Sequence, residues 1–109
     1  MELTPMEPSV MNFINMADYS ENGIVSKRIL EKSTGNVTLF SFDKSQKLSE
    51  HTAPFDAMVQ VLEGECEISI NKKPYQLKGG DSIIMPANIP HAVLATSRFK
   101  MLLTMIKGN

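Results

Sequence analysis

The sequence predicts an all-β domain, an antiparallel sandwich or barrel, on three observations. Short runs rich in β-branched and aromatic residues recur along the chain, eight or so in number. Turn signals built from Gly, Asn, Pro and Asp separate them at intervals of about 8–12 residues. Helical periodicity is confined to one short stretch near the amino terminus. At 109 residues the chain suits one domain with a single core.

Residues 1–9 carry Pro5 and Pro8 and read as a loose lead-in. Residues 10–16, VMNFINM, place apolar side chains at Val10, Met11, Phe13 and Ile14, which predicts one or two turns of helix. So short a helix does not stand alone, and its apolar stripe is expected to pack on the barrel or on a second subunit. Asn22-Gly23 marks a turn that divides an arm, residues 1–23, from a β-barrel domain, residues 24–109. The first strand is IVSKRILEK from Ile24. Ser33-Thr34-Gly35-Asn36 then reverses the chain into VTLFSF, residues 37–42. Residues 44–47 read as a polar loop leading to His51. AMVQVL, residues 57–62, is the next strand, and Glu63-Gly64 turns it into Glu65–Ile70. There Cys66, Ile68 and Ile70 alternate with Glu65, Glu67 and Ser69. Asn71-Lys72 is a two-residue hairpin connection. Short strands follow over residues 74–77, Ser82–Met85, His91–Ala95 and residues 99–106, with a Lys78-Gly79-Gly80-Asp81 turn after the first of them.

Composition narrows the class of function. Hydrophobic residues at 42% and charged residues at 21% fit a globular domain, and no window approaches the ~18 apolar residues of a membrane helix. A net charge of −1 gives no basic surface, so neither nucleic acid nor an anionic membrane is an expected partner. One cysteine, Cys66, excludes an intramolecular disulfide. The acidic, Pro-interrupted amino terminus lacks the features of a signal peptide, so a cytoplasmic location is expected.

Two stretches hold both histidines. Residues 50–65, EHTAPFDAMVQVLEGE, carry His51, and residues 80–91, GDSIIMPANIPH, carry His91. Each histidine lies on the approach to an apolar run, the pattern of a small barrel whose pocket is lined by two hairpins. These residues resemble the cupin superfamily, specifically its small single-domain members. The first cupin motif reads G, five residues, H-x-H, three or four residues, E, six residues, G. His51 stands at its first histidine and Gly64 at its closing glycine. The second reads G-D, four residues, P-x-G, two residues, H, three residues, N. Gly80, Asp81, Pro86 and His91 fall on it, with Asn88 in the glycine place. The resemblance covers residues 35–106 and implies a jelly-roll barrel.

The resemblance also exposes gaps. Metal-dependent cupins hold their ion with three histidines and a glutamate, and here Ala53 and Ala57 take the places of a histidine and the glutamate. Ser45 replaces the opening glycine of the first motif and Ala95 the final asparagine of the second. His51 and His91 alone would make a weak, open site for iron, manganese, nickel or zinc. Asp56 and Glu50 are nearby carboxylates, but strand parity aims each away from the ligand positions unless a bulge intervenes. Cys66 and Gln60 are softer alternatives. Equally, the two histidines shape a cavity through bonds to backbone or water, and Cys66 is a small buried hydrophobe.

The expected ligand pocket comprises His51, His91, Ala53, Ala57, Val59, Cys66, Met85 and Met101: mostly apolar, with two polar anchors. Ordinary core filling is the plainer reading of the methionines, among them Met58 and Met105. Asp81 and Asn88 are read as turn residues. The function these features favour is small-molecule binding with an incomplete metal site. The alternatives are a metal-dependent enzyme of isomerase, dioxygenase or lyase type with an unorthodox third ligand, and a metal-free enzyme with a histidine base. Residues 37–42 are largely apolar on both faces and edge strands need cover; similar small cupins commonly pair through these sheets, so the resemblance implies a homodimer, with residues 10–16 as an arm or clasp.

Overall fold

The computed structural model describes residues 7–107. Most of the expected lead-in, with Pro5, lies outside the described residues, as do Gly108 and Asn109 of the barrel domain. Among the described residues the chain folds into nine strands: β1 (Ile24–Lys32), β2 (Gly35–Phe42), β3 (Lys47–His51), β4 (Phe55–Glu63), β5 (Glu65–Ile70), β6 (Lys73–Lys78), β7 (Ser82–Met85), β8 (His91–Ala95) and β9 (Phe99–Lys107). They form a five-stranded sheet in the order β1-β2-β9-β4-β7 and a four-stranded sheet in the order β3-β8-β5-β6. Neighbouring strands pair antiparallel throughout, as in a jelly roll.

The core lies between the sheets and follows from strand alternation. Ala57, Val59 and Val61 of β4, Cys66 and Ile68 of β5, Val93 and Ala95 of β8, and Phe99 and Met101 of β9 share one buried cluster with Phe42 and Met85. The Phe42 and Phe99 rings stack with centroids 4.7 Å apart and close one end of the sandwich. Burial of each such ring stabilises the fold by about 1.5–3 kcal/mol, a large share of the margin of a domain this small.

Three expectations are corrected. The helix over residues 10–16 shrinks to a single 3-10 turn, Phe13–Asn15. Asn12 makes no side-chain cap bond, and the Ile14 carbonyl accepts from the buried Lys100 ammonium rather than from a following helical N–H. Of the expected apolar stripe only Phe13 packs, with Met16 and Ala17, onto Leu39 and Leu102 outside the five-stranded sheet, while Val10, Met11 and Ile14 stay exposed. Second, the polar loop ahead of His51 ends in an extra strand, β3. Its alternation is invisible because four of its five residues are exposed and Leu48 alone packs on the core. Charged, solvent-facing sequence is what an edge strand carries. Third, the two expected hairpins are crossings between sheets. β4 and β7 belong to one sheet, β5 and β8 to the other, so Gly64 and the 86–90 bend are corners of the barrel.

Gly64 shows why the corner needs its residue. Its φ is +78°, and an added Cβ would lie 2.0 Å from the Arg98 carbonyl oxygen and 2.7 Å from the Phe99 Cα. The Asn71-Lys72 connection is, by contrast, the hairpin the sequence predicts, with both residues at positive φ (51° and 66°).

Candidate functional site

The site begins with a register irregularity. Leu48 of β3 pairs with Val93 of β8, and His51 pairs with His91, so three steps on β3 answer two on β8. The extra residue is a β-bulge. Strict alternation would turn His51 to the face opposite Leu48, whereas the bulge returns it to the inner face, directly across from His91. His91 reaches that face by ordinary parity with Val93 and Ala95, and it is buried.

The two imidazoles meet edge to face, ring centroids 4.4 Å apart, with their Nε2 atoms 3.2 Å apart. On each ring the other nitrogen faces a backbone carbonyl: His51 Nδ1 lies 2.7 Å from the Ser49 oxygen and His91 Nδ1 3.2 Å from the Ile89 oxygen. A carbonyl only accepts, so each Nδ1 bond needs its proton on Nδ1, while the Nε2–Nε2 bond needs one on an Nε2. Two neutral rings carry two protons for these three contacts, and the tautomer sets which two are filled. Burial holds the His91 pKa below the ordinary imidazole value; the bond to Ile89 opposes this and the neighbouring His51 reinforces it. His91 therefore favours the neutral imidazole at neutral pH.

The expected third donors are engaged elsewhere. Asp56 Oδ1 accepts the Ala87 N–H at 2.9 Å and ties the corner before β8 to β4. Glu50 pairs with Lys72 at 3.3 Å on the surface. Cys66 is fully enclosed, and burial pushes its thiol up to about 12, which suits a core residue. Gln60 lies on the outer face, between Leu102 and Ser82. Among the described residues no group of three or more His, Cys, Asp or Glu side chains converges as a metal site.

The remaining pocket residues fall in cross-strand rows. The row at the histidine end of the five-stranded sheet runs Met85, Ala57, Met105, Asn36, Glu31. Val59 lies one row further in, and Met101, opposite Val61 and Phe40, two rows in. Cys66 is likewise two inward positions from Ile70, the partner of His91. Ala53 is half-buried at the rim, where its carbonyl accepts the Asn88 N–H at 2.8 Å. Asn88 has φ +63°, as its glycine place requires. Asp81 Oδ2 accepts the Lys78 N–H at 2.9 Å, a turn role. Sequence reasoning passed over Arg28, Glu31, Asn36 and Thr38, which share the inner face of β1 and β2; the clue was the alternation of polar Asn36 and Thr38 with Val37 and Leu39. A surface depression of about 380 Å³, which neither histidine lines, lies on the four-stranded sheet among Ser49, Glu50, Glu67, Ser69, Ala92 and Leu94.

Residues 38–107 match the family model of the cupin domain. The chain is a cupin. It resembles a conserved protein of unknown function from Streptococcus pyogenes with 32% identity and a TM-score of 0.91, over 99% of this chain and 95% of that one. A cupin 2 conserved barrel domain protein from Leptotrichia buccalis is 44% identical over 89% of this chain, with a TM-score of 0.86. This cupin spans about half of that chain, 47%. A cupin superfamily protein from Desulfitobacterium hafniense is 26% identical, with a TM-score of 0.85 and coverage of 95% and 94%. Among curated proteins none matches the sequence. As a cupin the chain keeps two of the four ligand positions named by the family resemblance and fills the other two with Ala53 and Ala57.

Proposed function

We propose that this cupin binds a small molecule at the histidine end of its barrel, with His51 and His91 as polar anchors. The observation that carries the reading is the pair of Nε2 atoms brought within 3.2 Å of one another, with each Nδ1 facing a backbone carbonyl. Three contacts share the two protons of a neutral pair, so a ligand group that bonds an Nε2 completes the set. The apolar side chains of Ala57 and Met85, on the same inner row, supply the non-polar surface such sites use. Among the described residues no third His, Cys, Asp or Glu side chain joins the pair, which favours binding over catalysis at a resident metal.

The same spacing motivates the alternative, a metal-dependent enzyme. Two imidazoles that each bond an ion at about 2.0–2.1 Å in tetrahedral geometry place their nitrogens roughly 3.4 Å apart. His51 and His91 fit two such positions, and each Nδ1 faces a carbonyl, the kind of partner that orients a metal-bound imidazole. A divalent ion there would act as a Lewis acid and would need further ligands from solvent or substrate. A cytoplasmic setting suits both readings, since Cys66 is a free, buried thiol.

Titration of metal-free protein with Co²⁺, followed by absorption and by histidine ring resonances, separates the two. Weak binding that is lost in both His51→Ala and His91→Ala is expected. Tight, stoichiometric uptake with a complete donor set would hand the site to the enzyme reading. Failure of both metal and small polar solutes to perturb either ring would end the anchor reading itself.

A further inference from the structure

The inner face of the five-stranded sheet is not uniformly apolar. β4, β7 and β9 present Ala57, Met85 and Met105 at the histidine end, but β2 presents Asn36 and Thr38, and β1 presents Glu31 and Arg28 opposite them. A second bulge produces this. Between Arg28 and Leu30 the β1 register shifts by one residue, so Arg28 and Glu31, three apart in sequence, share a face and pair at 2.7 Å. Without that bulge Glu31 would face outward with Val37. β2 runs from Gly35 to Phe42, and β3 returns to end at His51, so the histidines and Asn36 occupy the same end of the barrel. The two bulges thus lie in β1 and β3 toward one opening, and each puts ionisable residues on the inner-facing register, where the Arg28 and Glu31 side chains remain 39% and 42% exposed.

One atom there is unsatisfied. The Asn36 side-chain oxygen is buried and has no hydrogen-bond partner. Folding rarely leaves a buried amide acceptor orphaned, and such atoms concentrate where something else completes them. At the exposed edge of this face Arg28 and Glu31 pair with each other, so the face carries no net charge yet is rich in donors and acceptors.

We propose that the inner face of β1 and β2 is the polar wall of the ligand site, with Asn36 accepting a hydrogen bond from a small neutral molecule that carries hydroxyl donors. This rests on the ligand-binding reading of the histidine pair and names the face that selects the ligand. The occupant sits with its hydroxyl edge toward Asn36 and Thr38 and its C–H surface toward Ala57 and Met105. A neutral wall disfavours an anion or an ammonium ion, because neither finds an unpaired counter-charge on it.

The test uses Asn36→Leu, which removes the acceptor at similar volume, and three probes of similar size: erythritol (neutral, hydroxylated), butyrate and butylamine. Binding is followed by the ring resonances of both histidines and by the Asn36 side-chain amide. In the native protein erythritol is expected to shift all three signals together, and the two charged probes are not. Asn36→Leu should weaken erythritol about tenfold, the loss of one hydrogen bond, and raise the melting temperature because an orphaned polar atom is gone. A merely structural Asn36 predicts the reverse, a lower melting temperature with the erythritol midpoint unchanged. Erythritol that moves the histidines equally in Asn36→Leu and native protein overturns the wall and leaves the histidine anchors standing. Silence of the histidines toward every probe overturns both, as does a response to butyrate or butylamine alone overturn the neutral class.

Discussion

Single residues carry the chemistry of this cupin, and most of them stand in conformations that sequence alone half reveals. Asn88 and Ser45 occupy places where the family pattern has glycine, and both adopt positive φ, 63° and 75°. Asn tolerates that region; Ser does so at a cost, offset here by the Ser45 N–H bond to the Ala95 carbonyl at 2.8 Å. His91 was legible as a site residue from its motif, but its protonation behaviour was not, because burial sets it. Its folded pKa lies below the ordinary 6.5, so the unfolded chain binds more protons in the interval between the two values. Stability therefore rises with pH across that interval, is fully present above it, and is lost as pH falls through the folded value. Each pH unit crossed there is worth at most about 1.4 kcal/mol. Urea melts at about pH 5 and about pH 7.5 should show this slope in the native protein and a flatter one in His91→Gln. An equal slope in both would assign the pH dependence to other groups.

At the scale of elements, the bulges decide more than the strands do. Eight strands were readable from alternation and turn residues; β3 was not, because an exposed edge strand shows no apolar period. Without β3 the bulge that re-aims His51 could not be foreseen. Deleting Ser49 restores strict alternation and turns His51 outward. The deletion is expected to abolish Co²⁺ binding as completely as His51→Ala does, at a stability cost of only about 1 kcal/mol, since the strand is mostly solvent-facing. Retention of the metal in the deletion variant would show that the rim, not the bulge, positions the ring. The amino-terminal segment teaches a similar lesson. Its apolar spacing read as helix, but tertiary partners claim its backbone: Lys100 takes the Ile14 carbonyl and the Ser41 hydroxyl takes that of Ala17. Tyr19 then docks by donating its hydroxyl to Glu63 at 2.6 Å, under the Lys100 ammonium 4.9 Å from its ring centroid.

For the whole molecule, the open question is what covers the outer face of the five-stranded sheet. The arm shields Leu39 and Leu102, while Met58 pairs across strands with the exposed Ile84, and Ile106 is exposed on the same face. Val10, Met11 and Ile14 are exposed on the arm itself. A second copy, which presents the same apolar strip, is the partner we expect, since a two-fold pairing matches like surface to like. Sedimentation at micromolar concentration should give a dimer, and Ile84→Glu combined with Ile106→Glu should give a folded monomer. A native monomer under those conditions removes the pairing. No helix among the described residues is long and apolar enough to cross a membrane.

Alternation, turn chemistry and the spacing of Gly64, Gly80, Pro86 and His91 determined the β-architecture and the family, because these are local rules that each residue obeys with its near neighbours. The missing donors at Ala53 and Ala57 were equally a matter of sequence. Only the tertiary structure decided that the imidazoles meet, which ring nitrogens face carbonyls, and that Arg28, Glu31 and Asn36 share one face of the sheet. Those outcomes hang on bulges and on carbonyls brought together across the barrel, and one extra residue in a strand inverts every face beyond it.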